Sequence, residues 1–356
     1  MVNRCKFKIL SLNLHHKPIS IIQVMPNAIF PNICFRAVRM LLALAFVVSI
    51  CVDVVAVERR PSSEKLYNKG EYMYEERYYA EALRYYVEAA NEGLMMAQYK
   101  AGYMYSKGIG VTRNHKEAVR WFKRAAEQGH CDSQYLLASC YANGIGVAQS
   151  YTEAAKWYRK AGEQGDDTSQ FQLGVLYANG YGVEQDFEEA IKWFEKSAEL
   201  GNVKAQYNLG VCYSGKQGSS RDYVKAVKWY RKAAEQGYRN AEYNLALCYA
   251  NGEGVAQDYV EAVKWYKRAA EHGDNGAECN LGICYEYGTG VKRDYAKAVE
   301  WYRKSATHGN VNAEYNLGHC YQLGYGVEQD DAEAERWFRL AADHGHRRAI
   351  EYFEDK

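Results

Sequence analysis

AEYNLALCYANGEGVAQDYVEAVKWYKRAAEHGDNG, residues 241–276, is a unit that the chain repeats. Shifting the window by 36 residues in either direction returns the same skeleton without a gap. Trp265 has counterparts at Trp121, Trp157, Trp193, Trp229, Trp301 and Trp337, and these are all seven tryptophans of the chain. A fixed period of this size marks stacked supersecondary units, each too small to bury its own apolar face. The expected fold is all-α: a right-handed α/α superhelix, or solenoid, of stacked antiparallel helix pairs.

With Ala241 as position 1, the first helix runs over roughly positions 1 to 11, with Tyr243, Leu245 and Tyr249 as its large side chains. Position 6 is Gly or Ala in every unit (Gly102, Ala138, Gly174, Gly210, Ala246, Gly282, Gly318), small enough for a close approach by the partner helix. A Gly-x-Gly-Val loop follows at Gly252 and Gly254. No strand precedes it and it recurs as a helix connector, so it does not read as a phosphate loop. Asp258 with Glu261 forms a capping-box signature for the second helix. Ala262, Trp265, Tyr266, Ala269 and Ala270 give that helix its buried stripe, and Trp265 is expected to fill the interior between its own two helices and the next unit. Lys264, Lys267, Arg268 and Glu271 fall on the opposite, solvated face, with Lys267 and Glu271 spaced for an ion pair.

The pattern LG, Y, GxGV, D, A, WY, AA, G resembles the Sel-one-like repeat, a relative of the tetratricopeptide repeat. The resemblance covers seven consecutive 36-residue units, residues 97–348. Residues 64–96 look like a tetratricopeptide-type N-terminal cap repeat: Gly70 lies 12 residues before Ala82, whereas Gly102 lies 16 before Ala118, so the four-residue loop insertion is missing. Residues 349–356 start a further first helix and stop, which reads as a C-terminal partial cap.

Ahead of the array, residues 1–60 carry a net charge of +6, which leaves −5 for the rest. A mildly acidic array argues against a nucleic-acid footprint. The apolar run Leu41–Val52 is preceded by Arg36 and Arg39 and followed by the small residue Ala56. It is short for a membrane span, which needs about 20 apolar residues. Residues 1–56 are therefore expected to be an export signal or leader cleaved after Ala56, with 57–63 a short linker. That places the chain in the secretory pathway or among exported proteins (secreted, periplasmic or in the endoplasmic-reticulum lumen), with membrane anchoring, organelle import and a translation start near Met40 as open alternatives. In the unit at 205–240, Lys216-Gln217-Gly218-Ser219 replaces the Gly-x-Gly-Val, and whether that loop through Ser220 is functional stays open.

Cys140, Cys212, Cys248, Cys284 and Cys320 all occupy position 8. Equivalent helices of successive units sit roughly 10 Å apart, beyond the ~7 Å Cα limit of a disulfide, so these read as small buried side chains. Cys131 and Cys279 are singletons, so the disulfide-rich branch of the family is not indicated. No zinc spacing, nucleophile elbow, HExxH or P-loop is found, and no cofactor, metal or enzyme activity is expected.

Relatives in the family serve as adaptors, so the resemblance implies a non-enzymatic protein–protein interaction scaffold that holds a peptide or partner helix in its concave groove. The alternative is a secreted hydrolase or small-molecule-binding member of the same family. Positions 4 and 7 share one face of the first helix, and the expected groove residues are Asn208, Asn244, Asn280 and Asn316 with Val211, Leu247 and Ile283. A row of amides can hold a backbone without dictating its sequence. A second reading has the asparagines bridging neighbouring helices. The expected partner is a protein or peptide ligand, with no nucleic acid and no stable membrane span after signal cleavage, and the oligomeric state is left open.

Overall fold

The computed structural model describes residues 8–14, 17–23, 62–215 and 221–354. The chain divides into two compact units, residues 1–66 and 67–356. In the first, β1 (Lys8–Leu14) pairs antiparallel with β2 (Lys17–Gln23), so that Leu12 stands opposite Ile19 and Leu10 opposite Ile21. Among the described residues this hairpin is the one departure from an all-helical chain. Its source is a period-two alternation in Leu10-Ser11-Leu12-Asn13-Leu14 and Ile19-Ser20-Ile21 that is too short to stand out beside the repeat. The apolar run at 41–52 and the loop at 216–220 lie outside the described residues.

Among the described residues seventeen helices follow. They pair as α1 (Ser63–Glu75) with α2 (Tyr79–Asn91), α3 (Met95–Lys107) with α4 (His115–Glu127), and α5 (Cys131–Asn143) with α6 (Tyr151–Glu163). Next come α7 (Asp167–Asn179) with α8 (Phe187–Glu199), α9 (Val203–Tyr213) with α10 (Tyr223–Glu235), and α11 (Arg239–Asn251) with α12 (Tyr259–Glu271). The last pairs are α13 (Asn275–Tyr287) with α14 (Tyr295–Thr307) and α15 (Val311–Leu323) with α16 (Asp331–Asp343), and α17 (Arg347–Glu354) ends the stack. From α2 onward each helix packs on its neighbours in the chain, and α9 also touches α11, the next first helix, while α1 meets α2 through the Tyr67 and Tyr86 rings, 5.7 Å apart. The result is an α-solenoid. Between α1 and α2 the connection is residues 76–78, against residues 108–114 between α3 and α4.

The two loop glycines have different tasks. Gly252 caps α11 in the left-handed region (φ 71). Gly254 (φ 72) lies against the preceding second helix, where an added Cβ would meet the Tyr223 carbonyl oxygen at 2.2 Å. The loop is thus a backbone-to-backbone contact between units, which only glycine permits.

The small residue at position 6 admits a ring rather than the helix backbone. A Cβ on Gly210 would lie 2.4 Å from the ring of Tyr230, and one on Gly282 2.4 Å from that of Tyr302. These rings sit one residue after the tryptophans. A step of about 100° around the helix turns the tryptophan toward the preceding unit, not the next one. Trp229 accordingly joins a core with Ala190, Phe194 and Ala198 of α8, and a Cβ on Gly162 would lie 3.3 Å from Trp193. Trp265 is 8% exposed in a core that includes Val227, Tyr230 and Ala234 of α10.

The capping box forms by half. Asp258 Oδ1 accepts from the Glu261 amide at 3.0 Å, and Asn114, Ser150, Asp186 and Asp330 do the same at their helices. The return bond is not needed, because the Asp258 amide already donates to the Tyr249 carbonyl at 2.9 Å. Glu261 instead takes Lys264 at 2.7 Å, while Lys267 and Glu271 make no ion pair among the described residues.

Within six of the seven units, positions 2 and 32 form a buried polar link; in the unit at 169–204 position 32 is Leu200, and Gln170 Oε1 has no hydrogen-bond partner among the described residues. Gln128 Nε2 donates to Gln98 Oε1 at 2.7 Å, and Gln98 Nε2 to the Ala90 carbonyl of the preceding unit at 3.2 Å. Gln134 with Gln164 and Gln206 with Gln236 repeat this. From Glu242 onward the pair becomes a carboxylate and an imidazole: Glu242–His272 at 2.7 Å, Glu278–His308 at 2.8 Å and Glu314–His344 at 2.9 Å. An ionised carboxylate cannot donate, and Arg268 Nη2 serves the Ala234 carbonyl instead, at 3.1 Å.

Candidate partner-binding groove

The position-4 asparagines are placed by the regular first helices, and three of the four reach back to position 3 of the preceding unit. Asn280 Nδ2 lies 3.5 Å from the Tyr243 hydroxyl, and Asn316 Nδ2 lies 3.9 Å from Cys279 Sγ. Asn244, nine-tenths buried, is set beside the Tyr207 hydroxyl in the same way and acts against the rise that burial gives that phenol. Asn208 is turned back on its own helix, donating to the Lys204 carbonyl at 2.8 Å. The ladder therefore bridges neighbouring helices, as the second reading had it, through long and weak contacts. The amide oxygens of Asn280 and Asn316 accept no hydrogen bond among the described residues, so one end of each side chain stays available.

The apolar residues grade along the array. Val211 and Leu247 pack against the core cluster of their own and neighbouring units, whereas Ile283 is 36% exposed. Asn244 and Leu247 line a small recess of about 210 Å³ with Tyr223, Tyr230 and Glu253. Asn280, Ile283 and Asn316 line a larger one of about 730 Å³, together with Tyr243, Cys279 and Arg348. Its helical walls are α11, α13, α15 and α17, all first helices. A second recess of about 610 Å³ adjoins it across Ile283, Tyr315, Asn316 and Arg348 and reaches Glu286 and His319. Volumes of several hundred Å³ are those of ligand-binding clefts.

Electrostatics in the recess are set by burial. It pushes the Cys279 thiol up to about 12, with Glu286 adding to the effect. Burial first, then Arg348, holds His346 below the usual imidazole range. The His346 ring stacks on Tyr315 with centroids 4.2 Å apart, and Tyr302 donates to Glu286 at 2.5 Å. Among the described residues, no group of three or more His, Cys, Asp and Glu is placed to hold a metal ion. The array's seven cysteines are thiols, five of them buried and Cys131 and Cys140 half-buried.

Position counting missed Arg348, His346 and Glu286. The available signal was departure from the column: position 10 is Ser or Ala through residue 250, then Glu286 and Gln322.

A family model for the Sel1 repeat matches eight stretches, 65–94, 96–130, 131–166, 168–202, 203–238, 239–274, 276–310 and 311–346. The first of these is the unit with the short loop. A Sel1 repeat protein from Oxalobacter formigenes is 31% identical over 82% of this chain and 86% of its own, with a TM-score of 0.66. A protective antigen present in uropathogenic Escherichia coli is 32% identical over 81% of this chain and 78% of its own, with a TM-score of 0.40. No curated protein matches the chain. With the repeat model covering α1 to α16 and a relative above 30% identity spanning most of both chains, the chain belongs to the Sel1 repeat family.

Proposed function

We propose that the array is a non-enzymatic scaffold that holds a segment of a partner protein along the face of its first helices. The observation that carries this is the 730 Å³ recess in which Asn280, Ile283 and Asn316 meet. It combines unused amide oxygens with an exposed aliphatic side chain, which are the two requirements for gripping a peptide. The segment lies across α11, α13, α15 and α17, the asparagines on its backbone and Ile283 on its side chains.

Capture of partners from the native host by the full chain, compared with the Asn280→Ala/Asn316→Ala chain, is the test. Two hydrogen bonds at about 0.5–1.5 kcal/mol each predict capture weakened roughly tenfold with the thermal midpoint held. An unchanged capture profile refutes the groove. Residues 1–56 are further proposed to be a cleaved export leader, on the basic flank, apolar run and Ala56 alone. N-terminal sequencing should then find Val57 or a close neighbour, and recovery of Met1 in cytosol refutes it.

A further inference from the structure

Position 3 of the seven units reads Tyr99, Tyr135, Phe171, Tyr207, Tyr243, Cys279 and Tyr315. In most units this ring lies on the ring behind it in the second helix. The centroid distance is 6.1 Å for Tyr135 on Tyr158, 6.1 Å for Tyr243 on Tyr266 and 5.5 Å for Tyr315 on Phe338. The sixth unit alone has no position-3 ring, only the Cys279 thiol. Three residues earlier on the same helix face, Gly276 stands where other units carry Asp132, Thr168, Lys204, Asn240, Asn312 and Arg348. A Cβ added at Gly276 would lie 3.3 Å from the Tyr243 ring.

Both truncations line the 730 Å³ recess, with Tyr243 and Tyr315 also in its wall. The column therefore specifies the size and character of the missing group: one planar ring. The rim specifies a charge as well. His344, His346, Arg347 and Arg348 line the recess, and no carboxylate does. Arg347 is engaged by Glu351 at 2.8 Å and His344 by Glu314 at 2.9 Å. Arg348 makes no ion pair among the described residues. This basic rim belongs to an array whose net charge is negative.

We propose that the recess takes one aromatic side chain of an acidic segment of a partner protein. Its ring enters the slot left by Cys279 and Gly276 between Tyr243 and Tyr315. A neighbouring Asp or Glu of the segment pairs with Arg348, and its backbone meets Asn280 and Asn316. This rests on the groove reading above and adds what the groove selects. Aromatic anchors surrounded by polar contacts dominate the energetics of protein interfaces, and the apolar slot beside a guanidinium suits such a pair.

A library of random dodecapeptides displayed on phage and selected on the full chain tests it. The tightest peptide is then resynthesised with its aromatic residue changed to Ala and, separately, with its acidic residues changed to amides. Peptides carrying Phe, Tyr or Trp beside Asp or Glu should be enriched. Either peptide change, or Arg348→Gln in the chain, should weaken binding at least tenfold. Cys279→Tyr, which restores the ring, should do the same with the helical circular-dichroism signal retained. Should Cys279→Tyr fail to fold, Gly276→Asn narrows the same slot with a residue that this position holds in two other units, and it decides. Enriched peptides without an aromatic residue, or equal binding to the slot-filled chains, overturn the slot. If such peptides still lose binding to the Asn280→Ala/Asn316→Ala chain, the groove stands and only the slot falls. Peptides indifferent to the asparagines, or no enrichment at all, count against both.

Discussion

Replacing Gly254 by alanine, beside the control Gly252→Ala, separates two costs that the loop combines. Both glycines have φ near +70°, 72 and 71, and a residue with a Cβ there costs about 1–2 kcal/mol. At Gly252 the new methyl would meet only the Gln257 side chain at 3.3 Å and its amide nitrogen at 3.5 Å. At Gly254 it would meet the Tyr223 oxygen at 2.2 Å, the Tyr223 carbon at 2.3 Å and the Val224 nitrogen at 2.8 Å, all backbone. The loop must withdraw from α10 by roughly 1 Å to restore normal contact, and overpacking of this kind costs about 1–3 kcal/mol. Gly252→Ala is therefore expected to destabilise by about 1–2 kcal/mol, and Gly254→Ala by about 2–5 kcal/mol. Urea denaturation followed by far-ultraviolet circular dichroism reads the difference. Because each unit contacts only its neighbours, the Gly254 variant should also split the transition at that joint. Equal losses for the two variants would show that the close approach carries no energy and that the loop only turns the chain.

Trp265→Ala should cost about 3–5 kcal/mol and loosen the joint to α10 rather than the one to α13, read by hydrogen exchange on the two sides; greater exchange at α13 refutes the backward packing. Changing Glu278 to Leu leaves Lys304 and His308 without the carboxylate they hold at 3.0 and 2.8 Å, while Glu278→Gln with His308→Gln imports the link of the earlier units. Thermal midpoints should rank the double swap above Glu278→Leu, and the reverse order refutes the equivalence of the two links. Burial pushes the thiols of Cys212 and Cys284 up to about 11 and that of Cys320 up to about 12, so at pH 8 they remain protonated. Iodoacetamide labelling mapped by mass spectrometry should then mark half-buried Cys131 before these three in the native chain, and prompt labelling of Cys320 refutes its burial.

The helix pairs were legible because a 36-residue period leaves no other way to bury seven tryptophans, and the caps at Asn114, Ser150 and Asp258 marked where second helices begin. Direction was not legible. A period says that Trp265 has a partner in a neighbouring unit but not whether that unit precedes or follows, which depends on the 100° step between Trp265 and Tyr266. Nor could the pattern show that Asp258 finds its amide acceptor at Tyr249, which frees Glu261 for Lys264. The groove was legible in its repeating members, Asn280, Ile283 and Asn316, and hidden in its exceptions. Cys279, Gly276 and Arg348 became informative once each was compared with its own column instead of with the consensus. Asn208 shows the reverse risk, since it shares the column yet bonds its own helix at Lys204.

The link between positions 2 and 32 bears on how long such a chain can be. Both partners lie inside one 36-residue unit: Gln98 with Gln128, Glu242 with His272. All that this link asks of the preceding unit is a main-chain carbonyl, such as Ala90 or Ala234, which any sequence supplies. A whole unit that carries either pairing can therefore be inserted or removed with the link intact, whereas the unit with Gln170 and Leu200 carries neither and leaves Gln170 Oε1 unmatched. As far as this link goes, the number of units is a free variable of the architecture, and reach along a partner can be lengthened in steps of one helix pair.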